Sequence, residues 1–189
     1  MIRVGILGDI GSGKTFVANS FGYPVFNADK EVIKIYKNYG CFLKLKKNFP
    51  KYITKFPVKK YEIVKLINSN SKNIKKIGKI VHPYVSNNLK KFLIKYKQDI
   101  VVLDIPLLLE NKIKTNNLYF VFVNSKKKEI NKRLKKRPNF NKKLYKLIKK
   151  NQLPLSIKKK KSKFILNNDF RKITIMKNIK KIKKELKNL

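Results

Sequence analysis

The sequence predicts an α/β protein with a mostly parallel, five-stranded sheet, and three observations carry that expectation. Five short apolar runs punctuate the chain, at Val4 to Leu7, Tyr23 to Asp29, Ile100 to Asp104, Leu118 to Val123 and Phe164 to Leu166. The clearest are continuous rather than alternating, as strands buried on both faces require, and segments of helical spacing separate them. The first run leads into Gly8-Asp9-Ile10-Gly11-Ser12-Gly13-Lys14-Thr15, which fits the phosphate-loop pattern G-x-x-x-x-G-K-S/T at every fixed position, and Phe16 to Phe21 then reads as the first turns of a helix. At 189 residues the chain can bury a sizeable core as one domain, with room for an inserted lobe.

The loop has a defined chemistry. Its three glycines, Gly8, Gly11 and Gly13, let the backbone curl so that successive N–H groups point inward at an anion, and the following helix adds the partial positive charge of its N-terminus. Lys14 can reach the terminal phosphates of a nucleoside triphosphate, and Thr15 can place a hydroxyl on Mg²⁺. The order strand, glycine loop, helix separates this stretch from a chance glycine-rich turn. Gly11, Ser12, Gly13, Lys14, Thr15 and Phe16 are the expected nucleotide-binding residues.

Along the chain, the first helix should stop near Gly22, and Tyr23 to Asp29 forms a short second strand that ends in a carboxylate, with Pro24 at a tolerated strand start. Lys30 to Tyr39 carries Val32, Ile33, Ile35 and Tyr36 and predicts a helix stopped by Gly40. Residues 41–97 offer no strong strand and break into helical patches at Pro50, Pro57 and Pro83; Tyr61 to Ile67 is one such patch. Val85, Leu89, Phe92, Leu93 and Tyr96 form an apolar helical stripe. This stretch reads as a helical insertion able to hold a second substrate. A basic stretch from Lys126 to Lys161 separates the last two strands, and the stripe Ile175, Ile179, Ile182, Leu186 and Leu189 predicts a final helix packed on the sheet. The expected organisation is a core of 1–40, 98–125 and 160–189, a helical acceptor-binding lobe at about 41–97 and a basic lid at about 126–159.

Composition sharpens the choice of residues. The chain has 49 Lys+Arg against 10 Asp+Glu, a formal charge of +39. The lysines are spread throughout and accompanied by abundant Asn and Ile, the pattern of an A/T-biased genome; part of the charge suits recruitment of polyanionic small substrates, and no dedicated nucleic-acid partner is expected. Carboxylates that persist against this bias are informative, and four of them, Asp9, Asp29, Asp104 and Glu110, lie in or beside strand-like segments. Arginine is also scarce: of four in the chain, Arg133 and Arg137 stand one helical turn apart, where bidentate phosphate binding is a reason to keep arginine over lysine. Cys41 is alone, so no intramolecular disulfide framework forms and a reducing compartment is expected. No run of about 18 apolar residues occurs, so a soluble cytoplasmic protein without a membrane partner is expected.

Among phosphate-loop classes, the D-x-x-G and N-K-x-D segments of a GTPase are missing, and the acidic pair common in helicases and transporters is absent, since Asp104 is followed by Ile105 and Pro106. Small kinases remain. These need a group to take or orient the acceptor hydroxyl and cations for the transferring phosphoryl group. Asp29 suits a general base, with a helix N-cap as the alternative. A basic nucleic-acid-binding protein with a regulatory ATPase is the alternative from another class.

The phosphate loop, Asn27-Ala28-Asp29, the pair His82-Pro83, Asp104-Ile105-Pro106-Leu107-Leu108-Leu109-Glu110, Arg133 with Arg137, and Gln152 together resemble, in order and spacing from about residue 2 to 169, the dephospho-coenzyme A kinase family. The resemblance implies a nucleotide-kinase-like core with a helical acceptor lobe and a lid, and ATP-dependent phosphorylation of the ribose 3′-hydroxyl of dephospho-coenzyme A. It further implies ATP and Mg²⁺ on the phosphate loop, Lys14, Asp29, Arg133 and Arg137 as catalytic residues, and Asp29, His82, Leu107 and Glu110 on the acceptor side. Thr15 and Asp104 are the implied metal residues; Asp104 is open to holding Mg²⁺ through water or to orienting loop backbone. His82 is open to a structural role, and Glu110 to an ion pair within the fold. Another small nucleoside or nucleotide kinase is the second reading, and a monomer is favoured. The chain departs from the family pattern at Asp9, where glycine is usual, and at Lys161-Ser162-Lys163, where an alanine usually precedes an aspartate before the last strand.

Overall fold

The computed structural model describes residues 1–97, 100–110, 116–136 and 140–188. In chain order the elements are β1 (Ile2–Gly8), α1 (Lys14–Ser20), β2 (Val25–Asn27), α2 (Ala28–Ile35), α3 (Tyr39–Asn48), α4 (Lys60–Ser69), α5 (Asn73–Lys95), β3 (Ile100–Asp104), β4 (Leu118–Asn124), α6 (Lys127–Lys135), α7 (Lys142–Lys150), α8 (Leu155–Lys160), β5 (Phe164–Asn167) and α9 (Lys172–Lys187). They form two compact units, Met1–Asn27 with Tyr96–Leu189, and Ala28–Lys95.

The first unit holds a sheet of order β2-β3-β1-β4-β5 in which every adjacent pair is parallel. Strand side chains alternate in direction, so Val4 and Ile6 of β1, Val102 of β3, Val121 and Val123 of β4, and Phe164 and Leu166 of β5 share one buried cluster. Val17, Ala18 and Phe21 of α1 and the expected stripe of α9, Ile175, Ile179, Ile182 and Leu186, complete it. Each large apolar side chain buried there contributes about 1.5–3 kcal/mol relative to exposure. The tip of that stripe, Leu189, lies outside the described residues. On the other face the backbone approach at Gly5 is tight: a Cβ there would come within 2.7 Å of Leu108 Cδ2 and 2.8 Å of Phe120 Cδ1. The basic stretch between β4 and β5 folds as α6, α7 and α8, all within this unit.

The second unit, α2 to α5, closes around Ile35, Cys41, Phe42, Leu45, Phe49, Ile53, Val58, Ile63, Leu66, Ile77 and Val81. Buried Glu62 accepts hydrogen bonds from Lys59 N (2.8 Å), Thr54 N (3.2 Å) and Thr54 Oγ1 (3.3 Å), closing the turn into α4. Asn88 Nδ2 donates to Glu31 Oε2 at 2.9 Å and ties α5 to α2.

Four local expectations differ from the structure. The helical unit begins at Ala28 rather than at about 41. The second strand is Val25–Asn27, so Asp29 does not end it; Asp29 lies in the first turn of α2, past the cap position, where the helix N-terminus favours a carboxylate. Gly40 does not stop a helix. Asn38 Oδ1 accepts from Cys41 N at 2.9 Å and caps α3, which puts Gly40 inside its first turn. Pro83 does not separate two helices either: α5 runs through it, with Ile77 and Val81 buried before it and Leu89 after it. Tertiary burial of that stripe overrides the local break. Among the described residues no helix is long and apolar enough to cross a membrane.

Candidate active site

In a parallel sheet ligands gather at the carboxyl ends of the strands, and the phosphate loop leaves β1 there. Gly11 (φ 84°) and Gly13 (φ 90°) take the left-handed conformation that a side chain opposes. Both are also hemmed in. A Cβ on Gly11 would approach Leu134 Cδ2 at 3.1 Å and Ile130 Cγ2 at 3.2 Å, so α6 packs directly on the loop; a Cβ on Gly13 would stand 2.6 Å from Asn168 Nδ2. Lys14 folds back over the loop, its Nζ donating to Asp9 O at 2.7 Å and Gly8 O at 3.3 Å.

Ser12 is the most enclosed loop residue. Its N–H donates to Asp9 O at 3.2 Å, and its carbonyl accepts from Asn168 Nδ2 at 2.8 Å and Ser125 Oγ at 3.0 Å. Its hydroxyl is buried and has no hydrogen-bond partner among the described residues. Asn168 is held in turn, donating its own N–H to Asn124 O at 2.8 Å and accepting from Phe170 N at 2.7 Å. Ser125 and Asn168, just past the ends of β4 and β5, thus brace the loop through the Ser12 carbonyl. A buried serine hydroxyl without a partner among the described residues, glycines in left-handed turns packed too closely for a Cβ, and a lysine over the turn together fit a triphosphate.

The other expected residues distribute as follows. Thr15 and Phe16 are exposed on the first turn of α1. Asp104, at the end of β3, is buried; its Oδ2 accepts from Asn27 Nδ2 at 2.6 Å, between residues paired in the β2–β3 register. Leu107 adopts φ 58° in the turn after β3 and is half-buried. Glu110 Oε1 accepts from Leu153 N at 2.8 Å and pairs with Lys158 Nζ at 2.9 Å, so the segment after β3 is joined to α8 by an ion pair. Burial pushes the Glu110 carboxyl up, but the Lys158 ammonium and the Leu153 N–H outweigh it and hold the group below the usual carboxylate range. Arg133, exposed on α6, stacks its guanidinium 4.4 Å over the Phe170 ring. Arg137 lies outside the described residues. Asp29 and His82 belong to the second unit, His82 exposed on α5.

Four residues at the loop were not singled out as site residues from sequence: Ser125, Asn168, Phe170 and Lys149. The first three stand just past the ends of β4 and β5, the only positional signal available for them. Lys149 Nζ lies 3.7 Å from Asp9 Oδ2, and nothing local distinguishes it from its neighbouring lysines.

The parallel sheet with a braced phosphate loop at its carboxyl edge defines a phosphate-loop nucleotide-binding protein of the small-kinase type. A family model described as dephospho-CoA kinase matches residues 2–173, and the chain belongs to that family. It is 33% identical over 186 residues to a protein of Wolbachia pipientis wMel named dephospho-CoA kinase, covering 95% of each chain. A protein of that name from Bartonella quintana is 30% identical over 170 residues, 87% of each chain. A crystal structure of a Thermus thermophilus protein superposes with a TM-score of 0.78 at 25% identity, covering 100% of this chain and 97% of that one.

Proposed function

We infer that this protein transfers the γ-phosphoryl group of ATP to the ribose 3′-hydroxyl of dephospho-CoA, giving CoA. The observation that carries this reading is the phosphate loop, cradled by Asn168 and Ser125, in a chain whose family match spans residues 2–173. Gly11, Ser12, Gly13, Lys14, Thr15 and Phe16 hold ATP: the backbone N–H groups and the Lys14 ammonium neutralise the phosphates, and the Ser12 hydroxyl gains an acceptor.

A bound Mg²⁺ would supply positive charge against the phosphates. Thr15 would offer it a hydroxyl oxygen, and the Asp104 carboxylate, oriented by Asn27, would hold it through water. Asp29 accepts the proton of the acceptor hydroxyl; its place in the first turn of α2, immediately after β2, supports that role. His82, Leu107 and Glu110 shape the acceptor side, and Arg133 with Arg137 supplies cations from the basic segment. The reaction runs in the cytoplasm, where ATP is available and a free buried thiol such as Cys41 stays reduced, and the monomer is the active species.

A coupled ADP-release assay across dephospho-CoA, adenosine and nucleoside monophosphates tests this. Release that depends on dephospho-CoA, with the new phosphate on the 3′-oxygen of the product, is expected; faster turnover with a nucleoside monophosphate would assign a different acceptor.

A further inference from the structure

A carboxylate within a phosphate loop adds negative charge where the ligand brings several more, so Asp9 requires compensation. The structure supplies it. Asp9 is buried; its Oδ1 accepts from Ile10 N at 2.8 Å, which fixes the side chain, and its Oδ2 lies 3.7 Å from Lys149 Nζ on α7. The backbone of the same residue accepts from Lys14 Nζ at 2.7 Å. One residue therefore engages the loop lysine through its carbonyl and a lysine of the basic segment through its side chain. Lys149 is constrained from its own helix as well, because its Nζ donates to Tyr145 Oη at 3.2 Å, one turn back. The Tyr145 hydroxyl first, and then the Asp9 carboxylate, raise its ammonium above the usual lysine range against partial burial, so it is charged at neutral pH. Asp9, Lys149 and Ser12, with its unpartnered hydroxyl, line one cavity of about 180 Å³ together with Lys127 of α6 and Leu155 of α8.

We propose that Asp9 is a positioning residue: its carboxylate draws α7 against the phosphate loop and holds the Lys149 ammonium beside the bound triphosphate, where it offsets charge on the phosphoryl group in transfer. Lys149 forms no covalent bond and exchanges no proton in this role; it screens charge, as lid cations do in phosphoryl transfer. The proposal rests on the loop being the ATP site. It accounts for an acidic residue where the family usually has glycine, since the same charge that would repel ATP recruits a cation that attracts it.

The test compares Asp9→Asn, Lys149→Met, Lys149→Arg and the Asp9→Asn/Lys149→Met double variant. Asp9→Asn keeps the size of the side chain and its acceptor for Ile10 N. Two readouts are taken: kcat and ATP KM with dephospho-CoA, and amide hydrogen exchange of α7 without nucleotide. Lys149→Met should lower kcat about 10-fold or more, as removing one transition-state charge contact does. Asp9→Asn should approach that loss without raising ATP KM, Lys149→Arg should retain most activity, and the double variant should be no worse than Lys149→Met alone. Exchange across 142–150 should speed up in Asp9→Asn and in Lys149→Met. Asp9→Asn with lower ATP KM, unchanged kcat and unchanged α7 exchange would overturn the proposal, as would a double variant whose loss is the product of the two single losses. A wild-type protein inactive on dephospho-CoA would refute the acceptor reading, while the exchange comparison would still decide whether Asp9 holds Lys149.

Discussion

The side-chain amide of Asn168 donates to the carbonyl of Ser12 at 2.8 Å, so a residue just past β5 holds a loop that leaves β1. The same amide stands 2.6 Å from where a Cβ on Gly13 would project. Glycine at 13 and asparagine at 168 are therefore one arrangement: the amide occupies the space the missing side chain leaves.

Replacing Asn168 with Ala removes its bonds to both Ser12 and Phe170 N. Leaving buried backbone groups with fewer partners costs about 1–3 kcal/mol. Because the loop's N–H groups lose their aim, ATP affinity should fall about tenfold, the equivalent of 1.4 kcal/mol. Isothermal titration with a non-hydrolysable ATP analogue reads this directly, and wild-type affinity in the variant would show that the loop keeps its shape unaided.

Asp29→Asn preserves size and removes the carboxylate proposed as the base. Turnover should drop about 10²-fold or more while ATP affinity stays close to wild type. Lys14→Ala should abolish phosphoryl transfer. Steady-state ADP release paired with equilibrium ATP binding separates the two, and near-normal turnover in Asp29→Asn would remove it as the base.

In the Glu110–Lys158 pair the lysine is buried and the glutamate partly so. Lys158→Met leaves the carboxylate with the Leu153 N–H but without its cation, a loss of about 1–3 kcal/mol for a hydrogen bond to a charged group. The Glu110 carboxyl is held below its ordinary value in the folded protein. Its contribution to stability is therefore fully present above about pH 4.3, the ordinary glutamate value, and is lost as pH falls through the lower folded value. Denaturant unfolding of wild type and Lys158→Met should show a large gap at pH 7 that narrows on acidification, and a gap independent of pH would refute this account.

The phosphate loop was legible because its determinants are contiguous. Glycines at fixed intervals, a lysine and a threonine describe the fold of that segment and its ligand together. The α9 stripe was legible for the same reason, since Ile175, Ile179, Ile182 and Leu186 report one helical face and all four are buried. Gly40 and Pro83 misled because each carries a local stop signal that a cap at Asn38 in one case, and burial of the α5 stripe in the other, overrides.

By itself, the sequence determined the α/β class, the five strands and the phosphate loop, because each depends on spacing within a few residues. The tertiary structure alone decided the strand order, the bracing of Ser12 by Asn168 and Ser125, the choice of Lys158 for Glu110 and the choice of Lys149 for Asp9. In a chain with 49 lysines and arginines, no local pattern marks which cation meets a given carboxylate. That is settled by which helix the sheet brings to its edge, through contacts between residues far apart in the chain.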